Sequence, residues 1–219
     1  MAARPAAVIF DMDGLLFDSE RLARDAFVQA CEQWGLQADM TAYMRCIGST
    51  YEATQRILLE AYGPEFPYAD IERTWSGIYH ARIHACPVPL KEGAVALLDH
   101  LRGAEIPTAL ATSTRRSTAV VKLEKAGLAG YFSHTICGGE TPRGKPHPDP
   151  YMAAAAGLRL APEQCWALED SENGVRSALA AGCLVIQVPD LVIPGAEMRA
   201  LGHVIESSLL DVLAWLEEK

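Results

Sequence analysis

The stretch that decides the fold is residues 7–14, AVIFDMDG, in which four apolar residues run into two aspartates and a glycine. The apolar run predicts a short buried strand, and the polar residues predict its end and a following loop. Side chains two apart on a strand point the same way, so Asp11 and Asp13 are expected to face one site. Two carboxylates held close together repel each other and favour a bound cation. The stretch predicts a chemical site, although a surface turn uses the same residue types.

Apolar strands alternate with helical patterns through most of the remaining chain. Strands are predicted at 7–10, 108–111, 134–137, 165–168, 184–188 and 203–205. Helical patterns lie between them, near 94–101, 120–127, 150–157 and 172–181. Strands that are apolar throughout and alternate with helices are typical of a parallel sheet covered on both faces. The predicted fold class is α/β, with a Rossmann-like parallel sheet at its core.

The segment from residue 19 to residue 87 differs, because it shows helical patterns and no convincing strand. Asp18 or Ser19 can cap its first helix, and the proline-rich residues 87–89 indicate a linker at its end. The prediction is an α/β catalytic core of residues 1–18 and 88–219 with an all-helical cap, residues 19–87, inserted after the first strand. A helical insert directly after a catalytic loop is well placed to act as a lid.

Composition narrows the classes of function. The chain has 219 residues, 50% of them hydrophobic, and a net charge of −9. An acidic chain without a basic block is a poor candidate for binding nucleic acid. No apolar run has the length of a membrane span, and the run before Asp11 is too short for a signal peptide. Six scattered cysteines predict buried, reduced thiols. We therefore expect a cytoplasmic protein with no membrane and no nucleic-acid partner, and no obligate protein partner is evident.

Three further polar segments follow predicted strands or begin helices. Thr112-Ser113-Thr114 follow the second strand, Lys145 lies in a proline-rich loop, and Glu169-Asp170 follow the strand at 165–168. The carboxyl ends of parallel strands share one edge of the sheet. Each segment has an ordinary alternative: a helix cap for Thr112 and for Glu169-Asp170, and a solvated loop for Lys145. Their joint occurrence at successive strand ends favours one shared site.

With these motifs the chain resembles the haloacid dehalogenase-like phosphohydrolase superfamily, in the branch with a helical cap after the first strand. The resemblance covers essentially the whole chain and rests on FDMDG at 10–14, ATST at 111–114, KP at 145–146 and LEDS at 168–171. That branch contains β-phosphoglucomutase and phosphatases of sugar phosphates and nucleotides. The resemblance implies a phosphoric monoester hydrolase that acts on small phosphorylated metabolites.

The resemblance also implies a role for each matched residue. Asp11 would attack phosphorus and form an aspartyl phosphate. Asp13 would protonate the leaving oxygen and then activate water, helped by a neighbouring carboxylate that raises its pKa. Thr112 and the backbone N–H of Ser113 would hold the phosphoryl oxygens, and Lys145 would offset negative charge.

A magnesium site follows from the same resemblance. Asp11, Asp170 and the backbone carbonyl of Asp13 would bind Mg²⁺, with Glu169 as a ligand directly or through water. Oxygen ligands with retained water suit this ion.

A sugar phosphomutase of the β-phosphoglucomutase type is the alternative activity. The mutase holds a second phosphate with a cap arginine three residues after a glycine, and here Tyr51 stands three residues after Gly48. Losing a charge-assisted clamp favours hydrolysis, although Arg45 or Arg56 could replace it. The candidate substrate contacts in the cap are Arg45, Tyr51, Arg56, Tyr79 and Arg82.

Two alternatives come from other classes. A receiver-like signalling domain, which accepts a phosphoryl group without hydrolysing esters, also uses acidic residues, a hydroxyl and a lysine. Asp13 and the helical insert of residues 19–87 argue against it. His80 and His84, four residues apart on a predicted helix, could share a zinc ion, but no third ligand is evident.

Overall fold

The computed structural model describes residues 4–49 and 51–217. The strands are β1 (Ala7–Phe10), β2 (Thr108–Ala111), β3 (His134–Ile136), β4 (Cys165–Glu169), β5 (Leu184–Gln187) and β6 (Val204–Ile205). The helices are α1 (Ser19–Gln33), α2 (Met40–Cys46), α3 (Tyr51–Tyr62), α4 (Tyr68–Ala85), α5 (Ala94–Gly103), α6 (Arg116–Lys125), α7 (Asp149–Gly157), α8 (Glu172–Ala181), α9 (Ala196–Arg199) and α10 (Leu209–Glu217).

The strands form one six-stranded sheet in the order β3-β2-β1-β4-β5-β6, with every neighbouring pair parallel. Ile9 of β1 is in register with Ala109 of β2 on one side and Ala167 of β4 on the other. The prediction of an α/β fold with a parallel sheet is therefore confirmed. The strand order reverses direction at β1, and open α/β sheets bind ligands outside the carboxyl ends of strands at such a point.

Small side chains in the strands bring helices close to the sheet. Ala7, Ala109 and Ala167 are fully buried, and they belong to one apolar core with Tyr151 of α7 and Val175 of α8. An apolar strand flanked by other strands and covered by helices reads as a continuous hydrophobic run. This packing explains why β1, β2 and β4 showed no polar alternation in the sequence.

The chain divides into two compact units, Met1–Asp18 with Pro89–Lys219, and Ser19–Val88. The second unit contains α1 to α4 and has an apolar core of its own. In that core the ring centroid of Phe27 lies 5.1 Å from that of Tyr43 and 5.1 Å from that of Trp75. We refer to Ser19–Val88 as the helical unit and to the other unit as the sheet unit.

The two segments that leave and re-enter the sheet unit are hydrogen-bonded to each other. Asp18 N donates to Pro89 O at 2.8 Å, and Lys91 N donates to Leu16 O at 2.9 Å. Phe17 and Leu90 form an antiparallel bridge between these bonds. The inserted segment therefore begins and ends at two connecting segments that are hydrogen-bonded to each other.

Most of the cysteines are buried thiols, as the sequence predicts. All six cysteines are free, and five are buried as expected, but Cys86 is exposed, which corrects the prediction for that residue. Cys86 follows the last residue of α4 in the connection to the sheet unit. Among the described residues, no helix is long and apolar enough to cross a membrane.

Candidate active site

Four charged side chains meet at the carboxyl edge of β1 and β4. Asp11 directly follows β1, and its backbone N–H donates to Leu168 O at 2.9 Å. Lys145 Nζ lies 2.6 Å from Asp11 Oδ1 and also pairs with Glu169 Oε1. Carboxylate oxygens of Asp11, Glu169 and Asp170 all lie within 4.8 Å of one another. We call these four residues the acidic cluster and its lysine.

Burial distinguishes this site from ordinary surface charges. The Lys145 side chain is 5% exposed, so the alternative of a solvated loop lysine is wrong. The pKa of the Asp11 carboxyl is raised to about 8, chiefly by burial, against the ion pair with Lys145, which lowers it. Burial also lowers the pKa of Lys145, but pairing with Asp11 and Glu169 outweighs it and leaves that pKa above its usual range. One ammonium thus faces more carboxylate than it neutralises, which favours a further cation.

Glu169 is held by donors on both of its oxygens. Tyr151 Oη donates to Oε1 at 2.8 Å. The other oxygen accepts from Asp170 N at 3.0 Å, Ser171 N at 3.1 Å and Ser171 Oγ at 3.0 Å. Burial and the Glu169 carboxylate raise the pKa of Tyr151, which keeps its hydroxyl a donor. Glu169 therefore anchors Lys145 in a fixed position. Sequence reasoning missed Tyr151, whose signal was its place in the first turn of α7, six residues after Lys145.

Two glycines let the backbone approach the acidic cluster closely. A Cβ on Gly14 would lie 2.1 Å from Asp170 Oδ2, and a Cβ on Gly174 would lie 1.8 Å from Glu169 Oε1. Gly14 also has a φ of +83°, where a side chain is strained. Any other residue at position 14 or 174 would therefore displace the neighbouring carboxylate.

The loop after β2 brings its hydroxyl residues to the same edge. Thr112 is buried, its N–H donates to Ile136 O at 2.9 Å, and its Oγ1 accepts from Thr114 N at 3.0 Å. Thr112 thus makes the turn contact expected of an ordinary cap. Ser113 is exposed. Their part in binding a phosphoryl group stays a prediction.

Asp13 forms an ion pair with Lys122, which lies outside the acidic cluster. Its Oδ2 accepts from Thr114 Oγ1 at 2.6 Å, and its Oδ1 lies 2.5 Å from Lys122 Nζ. The sequence analysis named a neighbouring carboxylate as a means of raising the pKa of Asp13; the structure adds a contact with the buried Lys122. Lys122 was missed, although it stands beside Ala119 and Leu123 on the buried face of α6. A lysine within an apolar stripe was the available signal.

The candidate contacts in the helical unit have ordinary surroundings within that unit. Arg45 pairs with Glu60 at 2.9 Å, and both side chains are more than half exposed. Tyr51 is exposed and packs edge-on against Tyr68. Arg56 is exposed on α3. Their part in substrate binding stays a prediction.

Comparisons with known proteins identify the family to which the chain belongs. A family described as haloacid dehalogenase-like hydrolase matches residues 5–182. A probable pseudouridine-5'-phosphatase of Drosophila melanogaster is 35% identical over 188 residues, which cover 83% of this chain and 80% of the relative. A phosphorylated carbohydrates phosphatase of Thermotoga maritima is 32% identical, over 80% of this chain and 81% of the relative.

A solved structure extends the similarity to the fold. The chain is similar to a HAD family hydrolase from Deinococcus radiodurans R1, whose crystal structure contains bound phosphate and sodium. That match has a TM-score of 0.82 and 29% identity, and it covers 99% of this chain and 97% of the other. Together with the phosphatase relatives, these matches show that the chain belongs to the haloacid dehalogenase-like hydrolases and is a phosphoric monoester hydrolase.

Proposed function

We propose that this protein is a Mg²⁺-dependent phosphatase of small phosphorylated metabolites, such as sugar phosphates or nucleotides, which works through an aspartyl phosphate on Asp11. The observation that carries the proposal is the buried contact of Asp11 with Lys145 and Glu169 beside Asp170. Phosphoryl transfer depends mainly on charge neutralisation and in-line positioning. A fixed carboxylate beside a fixed ammonium supplies both.

In the first step, an Oδ atom of Asp11 attacks phosphorus and the bond from phosphorus to the leaving oxygen breaks. Asp13 donates a proton to that oxygen, which leaves as an alcohol. Lys145 offsets the negative charge on the nucleophile and the phosphoryl group. Thr112 and the backbone N–H of Ser113 hold the phosphoryl oxygens in place.

In the second step, water attacks phosphorus and the bond from Asp11 to phosphorus breaks. Asp13 accepts the proton from that water, so both aspartates return to their starting forms. Phosphate monoesters hydrolyse extremely slowly without a catalyst, which is why attack, proton transfer and charge neutralisation must all be supplied.

The donor set supports a magnesium site. The three buried carboxylates of the acidic cluster offer the hard oxygen ligands that Mg²⁺ prefers, and one lysine balances only part of their charge. Asp11 and Asp170, with the Asp13 carbonyl, would hold the ion, and Glu169 would contribute directly or through water. When bound, Mg²⁺ supplies positive charge to the carboxylate and the phosphoryl oxygens.

The relatives support the substrate class. The names of the two curated relatives point to a nucleotide and to phosphorylated carbohydrates, and the solved relative contains phosphate. The helical segment 19–87 would act as the cap of a core formed by residues 1–18 and 88–219. A receiver-like signalling domain is disfavoured, because the hydrolase family matches the chain across this insert.

The test is phosphate release from a panel of sugar phosphates, nucleotides and other small phosphate esters, with Mg²⁺ present. We expect release from members of the panel, and Asp11→Asn should reduce it to background because the nucleophile is lost. Chelation with EDTA should abolish release, and added Mg²⁺ should restore it.

The remaining outcomes would contradict the nucleophile, the metal site or the hydrolytic activity in turn. Release that survives Asp11→Asn removes the nucleophile assignment, and full activity in EDTA removes the metal site. No release, with isomerised sugar phosphate appearing after a bisphosphate primer is added, identifies a mutase of the β-phosphoglucomutase type.

A further inference from the structure

Lys122 is a buried cation that the proposed reaction does not yet use. Its side chain is 1% exposed, and its ammonium lies 2.5 Å from Asp13 Oδ1. The other oxygen of Asp13 accepts from Thr114 Oγ1 at 2.6 Å. The two donors come from α6 and from the loop after β2, so the carboxyl group of Asp13 is fixed from two directions.

The energetics of burial argue against a role in stability alone. Removing a lysine from water is costly, and a buried ion pair often contributes no more than a well-packed apolar pair of similar size. Lys122 has Ala119 and Leu123 as buried neighbours on α6, where an apolar side chain would suit the packing. The pair instead ties α6 to a loop more than a hundred residues earlier in the chain, at Asp13.

We propose that Lys122 is a positioning residue that holds Asp13 for its two proton transfers. This inference rests on the proposed function, in which Asp13 protonates the leaving oxygen and then takes a proton from water. A carboxylate offers about four lone-pair sites, so the bonds to Lys122 and Thr114 leave sites for the reacting proton. Small errors in the position of a catalytic group cost large factors in rate.

The test compares Lys122→Met, which keeps an unbranched side chain one atom shorter and removes its charge, with Lys125→Met. Lys125 lies one turn further along α6 and is exposed. With a sugar phosphate as substrate, we expect Lys122→Met to lower kcat by about 10- to 100-fold, a part of the roughly 10²- to 10⁴-fold that acid–base catalysis contributes, and to change KM little. Lys125→Met should match the parent protein.

A step-resolved measurement separates positioning from a general structural role. Dinitrophenolate leaves without protonation, so Lys122→Met should form phosphoenzyme from 2,4-dinitrophenyl phosphate at the parent rate. Hydrolysis of that phosphoenzyme still needs Asp13 to take a proton from water, so the variant should accumulate it. Rapid acid quench followed by mass spectrometry of the Asp11 peptide measures both steps.

Two further variants keep the inference falsifiable. In an Asp13→Asn background, Lys122→Met should cause no further loss, because Lys122 acts only through Asp13. If Lys122→Met fails to fold, as judged by circular dichroism, Thr114→Val removes the second donor and should show the same accumulation to a smaller extent.

The outcomes that overturn the inference differ from failure of the proposed function. Equal slowing of both steps, a further loss in the Asp13→Asn background, or no accumulation in either variant would mean that Lys122 is structural. A parent protein that forms no phosphoenzyme on Asp11 overturns the proposed function first, and the inference with it.

Discussion

Lys145 and Lys122 are both buried, although lysine is among the residues most often exposed. Lys145 could be predicted, because a glycine and several prolines frame it at the start of a helix and three other motifs share its edge of the sheet. Lys122 could not be found in this way, because a single lysine on a helix is usually at the solvated face. The apolar neighbours Ala119 and Leu123 carried the only local signal.

His203 supports the acidic cluster from a distance and gives a prediction for pH dependence. His203 Nε2 lies 2.8 Å from Gln187 Oε1, and the buried Gln187 donates to Asp170 O at 3.0 Å. Burial lowers the pKa of His203. As the pH falls, the imidazole of His203 is therefore protonated in the unfolded chain before it is protonated in the folded protein. Its contribution to the free energy of unfolding is fully present above the ordinary pKa, about 6.5, and declines as the pH falls below that value.

The prediction is that His203→Gln loses less of its free energy of unfolding between pH 7.5 and pH 5.5 than the parent does. Urea unfolding at the two pH values measures the difference. His80→Gln, at an exposed position on α4, is the control and should keep the parent's pH dependence. An unchanged pH dependence in His203→Gln would contradict the assignment.

Helix α8 shows how one element serves both structure and chemistry. Ser171 caps it by accepting from Gly174 N at 3.2 Å, and the same hydroxyl donates to Glu169 Oε2 at 3.0 Å. The sequence offered a helix cap and an acidic site as alternatives for residues 169–171. In the structure Ser171 forms the cap while Glu169 and Asp170 join the acidic cluster, so the two interpretations are compatible.

Gly174→Ala is the prediction at this scale. Alanine normally stabilises a helix by up to about 1 kcal/mol relative to glycine. Here its Cβ would lie 1.8 Å from Glu169 Oε1, so the buried carboxylate must move away from Lys145 and Tyr151. We expect a loss of about 2 kcal/mol or more in unfolding free energy, with phosphate release reduced to near background.

Gly77→Ala on α4 is the matched control, because beyond its chain neighbours and the nearby backbone of its own helix no described heavy atom lies within 4 Å of the added Cβ. That variant should be as stable as the parent or slightly more stable in the same urea titration. A Gly174→Ala protein with parental stability and activity would show that Glu169 can shift without consequence.

Short elements were the least predictable from sequence. Helix α9 spans only Ala196–Arg199 and follows Pro194-Gly195, so it is too short to display a helical period. The predicted strand at 134–137 ends one residue earlier in the structure, at Ile136. Strands β1, β2 and β4 were found because burial on both faces makes them apolar throughout.

At the scale of the whole molecule, the helical unit and the sheet unit have separate apolar cores. Phe27→Ala should remove a large part of the aromatic packing with Tyr43 and Trp75, at a cost of about 3–5 kcal/mol. We expect faster amide hydrogen exchange within residues 19–88, while the amides of β1, β2 and β4 keep their protection.

Ile9→Ala in β1 is the reciprocal control, because Ile9 belongs to the core of the sheet unit. It should increase exchange in the sheet strands first. Equal loss of protection in both units after Phe27→Ala would mean that they unfold together.

The fold class and the residues of the acidic cluster could be predicted, because strands that alternate with helices form a parallel sheet whose carboxyl strand ends share one edge. The choice of substrate could not, because it depends on side chains such as Arg45, Tyr51 and Arg56, whose surface positions follow no sequence period. Contacts such as that of Lys122 with Asp13 join residues distant in sequence and are set only by packing.

The order of the strands also has a consequence for biosynthesis. β1 lies between β2 and β4, yet β4 begins at Cys165, long after Phe10 ends β1. At roughly 5–20 residues per second, about 8–30 s of translation separate the two strands. During that interval residues 19–88 emerge and can bury their own core. The first strand thus emerges from the ribosome long before the strands that pair with it are synthesised, and the whole helical unit is synthesised in between.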